Sequence, residues 1–122
     1  MSPPFRVAVE ARDPEALSRC LHPGVRFNSP VVFRPYEGRD AVMTVLRAAL
    51  VVLEGFRYTD ELVGDGVHGL VFAAHVGERE VTGWDFLRVD GDGLVTELTV
   101  MVRPLSATIA LAEAMGAQLA AT

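Results

Sequence analysis

A chain of 122 residues, half of them hydrophobic, has the size of one ordinary domain spanning 1–122, with enough apolar material for a core and no room for a second unit. Its net charge of −5, with 11 scattered arginines and no lysine, lacks the basic excess that a nucleic-acid surface requires. The single cysteine, Cys20, cannot close an internal disulfide, and no apolar run is long enough to cross a membrane, so a cytoplasmic chain without membrane partners is expected.

In chain order, Pro3 and Pro4 precede Phe5, Val7, Ala8, Val9 and Ala11, which predict a short first helix. Asp13-Pro14-Glu15 supplies an N-cap and a proline at the first helical position, opening a second helix through Ala16, Leu17, Cys20 and Leu21. His22-Pro23-Gly24 ends it, with His22 read as a cap on the last carbonyls. Val25 to Pro30 follows as a short strand, then a loop stiffened by Pro30 and Pro35 that carries Arg34 and Tyr36. Gly38-Arg39-Asp40 opens the longest helix, where Val42, Val45, Leu46, Ala49, Leu50 and Leu53 recur at three- and four-residue spacing until Gly55 stops it. Phe56 to Val63 alternates as a strand, with Tyr58 sharing a face with Phe56 and Leu62. A turn at Gly64-Asp65-Gly66 leads to a strand from His68 to Val76, and Gly77 to Glu80 turns the chain again.

The most informative stretch comes next. Val81 to Val89 and Leu94 to Val102 alternate in polarity around Asp90-Gly91-Asp92-Gly93, which is a strong hairpin signal. With the four loop residues outside the ladder, Val89 faces Leu94, and Leu87, Asp85, Gly83 and Val81 face Thr96, Leu98, Val100 and Val102. The preceding turn is expected to bring Val76, Ala74 and Phe72 opposite Val81, Gly83 and Asp85. One face is then almost wholly apolar, with Asp85 in its middle. An ionised carboxylate there is unfavourable unless paired, so Asp85 is either a hydrogen-bonded structural group or a partly protonated one suited to acid/base chemistry. Tyr58 reaches the same space by its hydroxyl or simply packs.

The opposite face collects His75, Trp84, Phe86 and Met101 among charges and threonines, a mixture that suits a subunit interface and predicts a homodimer through it. After Pro104, Ser106 caps an alanine-rich helix through Ile109, Ala112, Met115 and Leu119. The three histidines stand far apart, with no HxxxH pair or CxxC step, so neither a metal nor another cofactor is expected. Asp90-Gly91-Asp92-Gly93 lacks the distal ligands of a calcium loop.

This element order, together with RFNSPVVFRPYEGRDAV, GWDFLRVDGDGLVTELTV and MVRP, resembles the SnoaL-like branch of the nuclear transport factor 2-like superfamily, which includes ketosteroid isomerases, limonene epoxide hydrolases and polyketide cyclases. The resemblance covers nearly the whole chain. It implies an α+β fold in which a curved antiparallel sheet forms a cone-shaped α+β roll, its N-terminal helices closing an apolar pocket. It also implies that Asp85 stands where the isomerases keep a protonated Asp and the epoxide hydrolases the first Asp of an Asp-Arg-Asp set. Asn28 matches the hydrolases' water-binding Asn. Other positions depart: the isomerase base falls at Ser29 and its Tyr donor at Phe5 or nowhere, while the hydrolase Arg, second Asp and Tyr fall at Gly83, Val100 and Arg26.

Three readings follow. One is an isomerase-, cyclase- or epoxide-hydrolase-like enzyme acting on an apolar small molecule, with Asp85 as acid/base, Asn28 as positioning donor, and Tyr58, Phe72, Ala74, Val81, Gly83, Leu87, Leu98 and Val100 lining the ligand site, where small residues at Gly83 and Ala74 leave room. Another is a noncatalytic binding protein for such a molecule. The third is a dimeric interaction module whose pocket has collapsed around Phe72, Leu87 and Leu98.

Overall fold

The computed structural model describes residues 2–121. Two short helices begin the chain. In α1 (Pro4–Glu10) a proline occupies the first turn and Phe5, Ala8 and Val9 turn inward. In α2 (Pro14–Arg19) the Asp13 carboxylate accepts the Ala16 N–H at 3.1 Å, the N-cap expected from the sequence. The helix stops at Arg19, and Leu21, His22, Pro23 and Gly24 already belong to strand β1 (Leu21–Asn28). His22 therefore caps no helix; its Nδ1 accepts the Gly24 N–H at 2.9 Å. Pro23 is tolerated because the ladder to the neighbouring strand shifts register between Leu21 and Arg26, so no donor is needed there.

A two-residue strand β2 (Tyr36–Glu37) pairs antiparallel with β1 and leads into α3 (Arg39–Val52), which buries Val42, Met43, Val45, Leu46 and Ala48. Strands β3 (Glu54–Gly64), β4 (Val67–Val76), β5 (Arg79–Val89) and β6 (Val95–Arg103) then form three successive hairpins before α4 (Leu105–Ala120). The strand order is β2-β1-β6-β5-β4-β3.

That order corrects the expected architecture. The fold is α+β with four helices, but its sheet is mixed: β1 and β6 run parallel while the other neighbours are antiparallel. It is also open, with β2 and β3 as edges among the described residues, rather than a cone-shaped antiparallel roll. The cause is long-range. Helix α3 carries the chain from one edge to the other, and three hairpins return it so that β6 arrives beside β1 in the same direction. Closure does not fall to the N-terminal helices alone, because α3 and α4 also face the cavity described below.

The faces follow the expected alternation, whereas the registers differ by two residues. Leu87 pairs with Leu98, Asp85 with Val100 and Gly83 with Val102, because a longer loop and an irregularity at Arg88/Val89 absorb the extra residues. Across β4 and β5, Val76 pairs with Arg79, Phe72 with Gly83 and Leu70 with Asp85, around a tight turn at Gly77 and Glu78. A slip of two preserves side-chain direction, so Leu70, Phe72, Ala74, Val81, Asp85, Leu87 and Leu98 are all buried on the helix-covered face. The space above Gly83 is not free: a Cβ there would stand 2.0 Å from the Phe72 ring, which lies across the glycine.

Strand β3 departs most from simple alternation. Its register shifts between Tyr58 and Asp60, so Tyr58 pairs with Phe72 and Glu61 with Leu70, both residues of the inner face. Leu62, expected beside Tyr58, is 57 % exposed instead, and Glu61 takes the inward direction.

Candidate functional site

Between the sheet and the helices lies a cavity of about 230 Å³, walled by apolar groups from every layer. Phe5 and Val9 come from α1, Leu17 from α2, Val45 and Leu46 from α3, Leu111 and Met115 from α4, and Phe72, Leu98 and Val100 from the sheet. It is not collapsed. Its polar groups include the Asp85 carboxyl, the Tyr58 hydroxyl and Ser29.

Asp85 owes its place to the alternation of β5: with Val81, Gly83 and Leu87 turned inward, it must turn inward too. It is the buried charged residue of the core, 6 % exposed. The Tyr58 hydroxyl donates to its Oδ2 at 2.7 Å, across 27 residues of sequence. Burial pushes the Asp85 carboxyl up to about 7, while the hydrogen bond from Tyr58 pulls in the opposite direction. Tyr58 is driven above its ordinary range first by burial and then by the Asp85 charge, so the phenol keeps its proton and the carboxyl is the group that titrates. Near neutrality Asp85 is thus divided between an acid that donates and a base that accepts. Phe56 fixes the phenol from the side, its ring packed edge-on at 5.0 Å, and itself stacks on Phe72 at 4.7 Å.

The residues singled out from the sequence separate into three places. Asp85, Tyr58, Phe72, Leu98 and Val100 reach the cavity wall. Ala74, Val81, Gly83 and Leu87 are buried in the same face without reaching that wall. Asn28 lies on the opposite side of the sheet, where its Nδ2 donates to Glu97 Oε2 at 3.0 Å and to Thr99 Oγ1 at 2.9 Å. Phe27, paired with Leu98, takes the inward direction, and its neighbour must point away. The structure therefore does not bring Asn28 and Asp85 together.

Ser29 does line the cavity, but its hydroxyl accepts the N–H groups of Val31 and Val32 at 3.1 and 3.0 Å and so serves the turn. Tyr36 borders the cavity as well, stacked on Phe27 at 6.1 Å. Cys20 is buried, with its thiol donating to the Leu17 carbonyl at 3.0 Å and pushed up to about 11, which makes it a packing group rather than a nucleophile. Among the described residues no group of three or more His, Cys, Asp or Glu side chains is placed to hold a metal ion. No helix among them is long and apolar enough to cross a membrane.

A family model described as a SnoaL-like domain matches residues 5–98. Among solved structures, a steroid delta-isomerase from Pseudomonas aeruginosa is 42% identical and superposes with a TM-score of 0.92, the match covering 96% of this chain and 87% of that one. A bacterial protein with a cystatin-like fold from Silicibacter pomeroyi is 30% identical with a TM-score of 0.90, over 94% of this chain and 82% of that one. A SnoaL-like protein from Burkholderia thailandensis, 16% identical with a TM-score of 0.70 over 83% of this chain and 90% of that one, shares the fold. No curated protein matches the chain.

Proposed function

From a chain that belongs to the SnoaL-like family and encloses one titratable carboxyl in an apolar cavity, we propose an enzyme that relocates a proton within a small apolar carbonyl compound, an isomerase- or cyclase-type reaction. The observation that carries this reading is the Asp85–Tyr58 pair, buried at the cavity wall with Asp85 poised near 7. As a carboxylate, Asp85 takes a proton from the carbon next to the carbonyl. The C–H electron pair moves into the enolate, and the acid formed on Asp85 returns the same proton at another carbon. No atom is gained or lost and nothing is oxidised. Tyr58 holds the carboxyl in one orientation and steadies its anion.

Epoxide hydrolysis asks for more: a base to activate water and a separate acid for the opening oxygen. Asp85 alone among the carboxylates borders the cavity in the described residues, which favours the one-proton reaction. The relative at 42% identity bears the name of a steroid delta-isomerase, and this supports the same class.

The test is conversion of small apolar β,γ-unsaturated ketones to their conjugated isomers, followed by ultraviolet absorbance. Turnover should rise through pH 7 and fall by roughly 10²-fold or more in Asp85→Asn. Equal background rates for wild type and Asp85→Asn across the panel would sink the enzyme reading. Saturable binding without turnover would then favour a noncatalytic carrier, a second reading supported by the single carboxyl and by the engagement of Ser29 in its turn.

Assembly is a separate proposal. On the outer face Trp84 and Phe86 stack at 6.1 Å, His75 lies farther along the same face opposite Glu80, and Met101 is 61 % exposed, a surface suited to a second copy of the chain. Light scattering at micromolar concentration should report a homodimer, and a monomer would refute it.

A further inference from the structure

Arg6, on α1, places its guanidinium carbon 5.5 Å from the centroid of the Tyr58 ring. Two carboxylates grip the same guanidinium from different elements. Its Nε lies 3.3 Å from Glu10 Oε1, one turn along the helix, and its Nη1 donates to Glu61 Oε1 of β3 at 2.9 Å. The Arg6 and Glu61 side chains are only 22% and 19% exposed, so their contact is largely shielded from solvent. Glu61 is available there because the β3 irregularity turns it inward on the same face as Tyr58. Helix α1, strand β3 and the reactive pair therefore form one continuous chain of contacts: Glu10 and Glu61 on Arg6, Arg6 over Tyr58, Tyr58 on Asp85.

We propose that Arg6 is a positioning residue for the Asp85–Tyr58 pair: held by Glu10 and Glu61, it covers the Tyr58 ring and keeps the phenol aimed at Asp85. The proposal rests on the reading of Asp85 as the reactive group. A guanidinium over an aromatic face is attracted by the ring and draws electron density from the phenol, making its hydroxyl a better donor. The charged groups acting on that phenol are Asp85, Glu10 and Arg6; the two carboxylates work against its ionisation and Arg6 works for it. Glu61 is held below its usual range chiefly by its bond to Arg6. Without Arg6 the ring loses its cover, two carboxylates lose their cation, and the hydrogen bond that steadies the Asp85 anion weakens. Asp85 should then release its proton at a higher pH.

The experiment is a carboxyl-detected NMR titration of Asp85, with Asp85→Asn as the assignment control, in Arg6→Gln, Tyr58→Phe and the double variant. Arg6→Gln should raise the Asp85 midpoint by roughly half a unit or more, and should add nothing once Tyr58→Phe is present. An unchanged midpoint accompanied only by a lower melting temperature would make Arg6 a plain fastener between α1 and β3 and overturn the proposal. The same upward shift in the Tyr58→Phe background would also overturn it, because the effect would then bypass the phenol. Should Arg6→Gln fail to fold, Arg6→Lys keeps the charge while losing the planar fork that holds both carboxylates, and it carries the same comparison. Because the readout involves no turnover, absence of the proposed reaction leaves this test legible, and failure here leaves the reaction of Asp85 to be judged separately.

Discussion

Asp85 binds its proton more tightly in the folded chain than in the unfolded one, where a carboxyl titrates near 4. Between about pH 4 and 7 the native state therefore holds a proton that the unfolded state has lost, and stability falls as pH rises. The favourable contribution is complete below about 4 and is gone once the pH passes about 7, a change on the order of 4 kcal/mol. Asp85→Asn mimics the neutral acid, so it should exceed wild type in urea-unfolding stability at pH 8 by about 2–4 kcal/mol and match it near pH 4. A constant difference across that range would contradict the burial argument. Tyr58→Phe removes the hydrogen bond that opposes the shift, so the Asp85 midpoint should move above 7 in the same kind of titration. A midpoint that fell would mean that water had entered and solvated the carboxylate.

At the scale of elements, two cross-strand aromatic residues lie over glycines, one on each face of the sheet. A Cβ on Gly83 would meet the Phe72 ring at 2.0 Å, and one on Gly69 would meet Trp84 at 2.4 Å. Gly83→Ala should therefore cost about 1–3 kcal/mol by forcing Phe72 off its rotamer. In the double variant with Phe72→Leu the two losses should be less than additive by urea unfolding, because the shorter side chain vacates the contested space. Full additivity would show that the ring does not depend on the glycine. At the start of α2, Asp13→Ala should cost about 1 kcal/mol through the lost cap to Ala16, which melting curves can resolve.

Period-two alternation made the inward set of β4 to β6 legible, including Asp85, since a slip of two residues leaves every side chain on its face. It could have placed Asn28 as well. Val25 and Phe27 alternate with it, and a side chain out of phase with a buried Phe points to the other surface. Loop lengths were less legible, because the extra residue at Arg88/Val89 leaves no mark in the pattern of polarity. The Tyr58–Asp85 bond was half visible: both residues could be assigned to the inner face, but their meeting depends on a contact that spans 27 residues.

For the molecule as a whole, the cavity between sheet and helices should make stability depend on what fills it. An apolar carbonyl compound that binds the native state alone raises stability by RT ln(1 + [L]/Kd), about 2.7 kcal/mol at a hundredfold excess over Kd. Melting temperature should climb with ligand concentration in wild type and in Asp85→Asn alike if apolar burial dominates, and in wild type only if the carboxyl is the main anchor. The parallel contact between β1 and β6 was out of reach of local patterns, because it follows from the route of the chain around α3 and the three hairpins. His22-Pro23-Gly24 has the chemistry of a break and lies within a strand, where a gap in the ladder removes the penalty.

The irregularity near Thr59 has a bearing on crowding as well as chemistry. Strand β3 is a sheet edge of 11 residues with Leu62 and Val63 uncovered, an inviting template for another copy's backbone. Register shifts at Glu54/Arg57 and Tyr58/Asp60 break its row of free amides into short pieces that a straight strand cannot match. Deleting Thr59 would remove the second of these shifts while leaving Glu61 opposite Leu70, so the edge would run regularly from Tyr58 onward. One surplus residue at each of two places thus keeps this edge from presenting the long unbroken ladder that favours pairing with another copy.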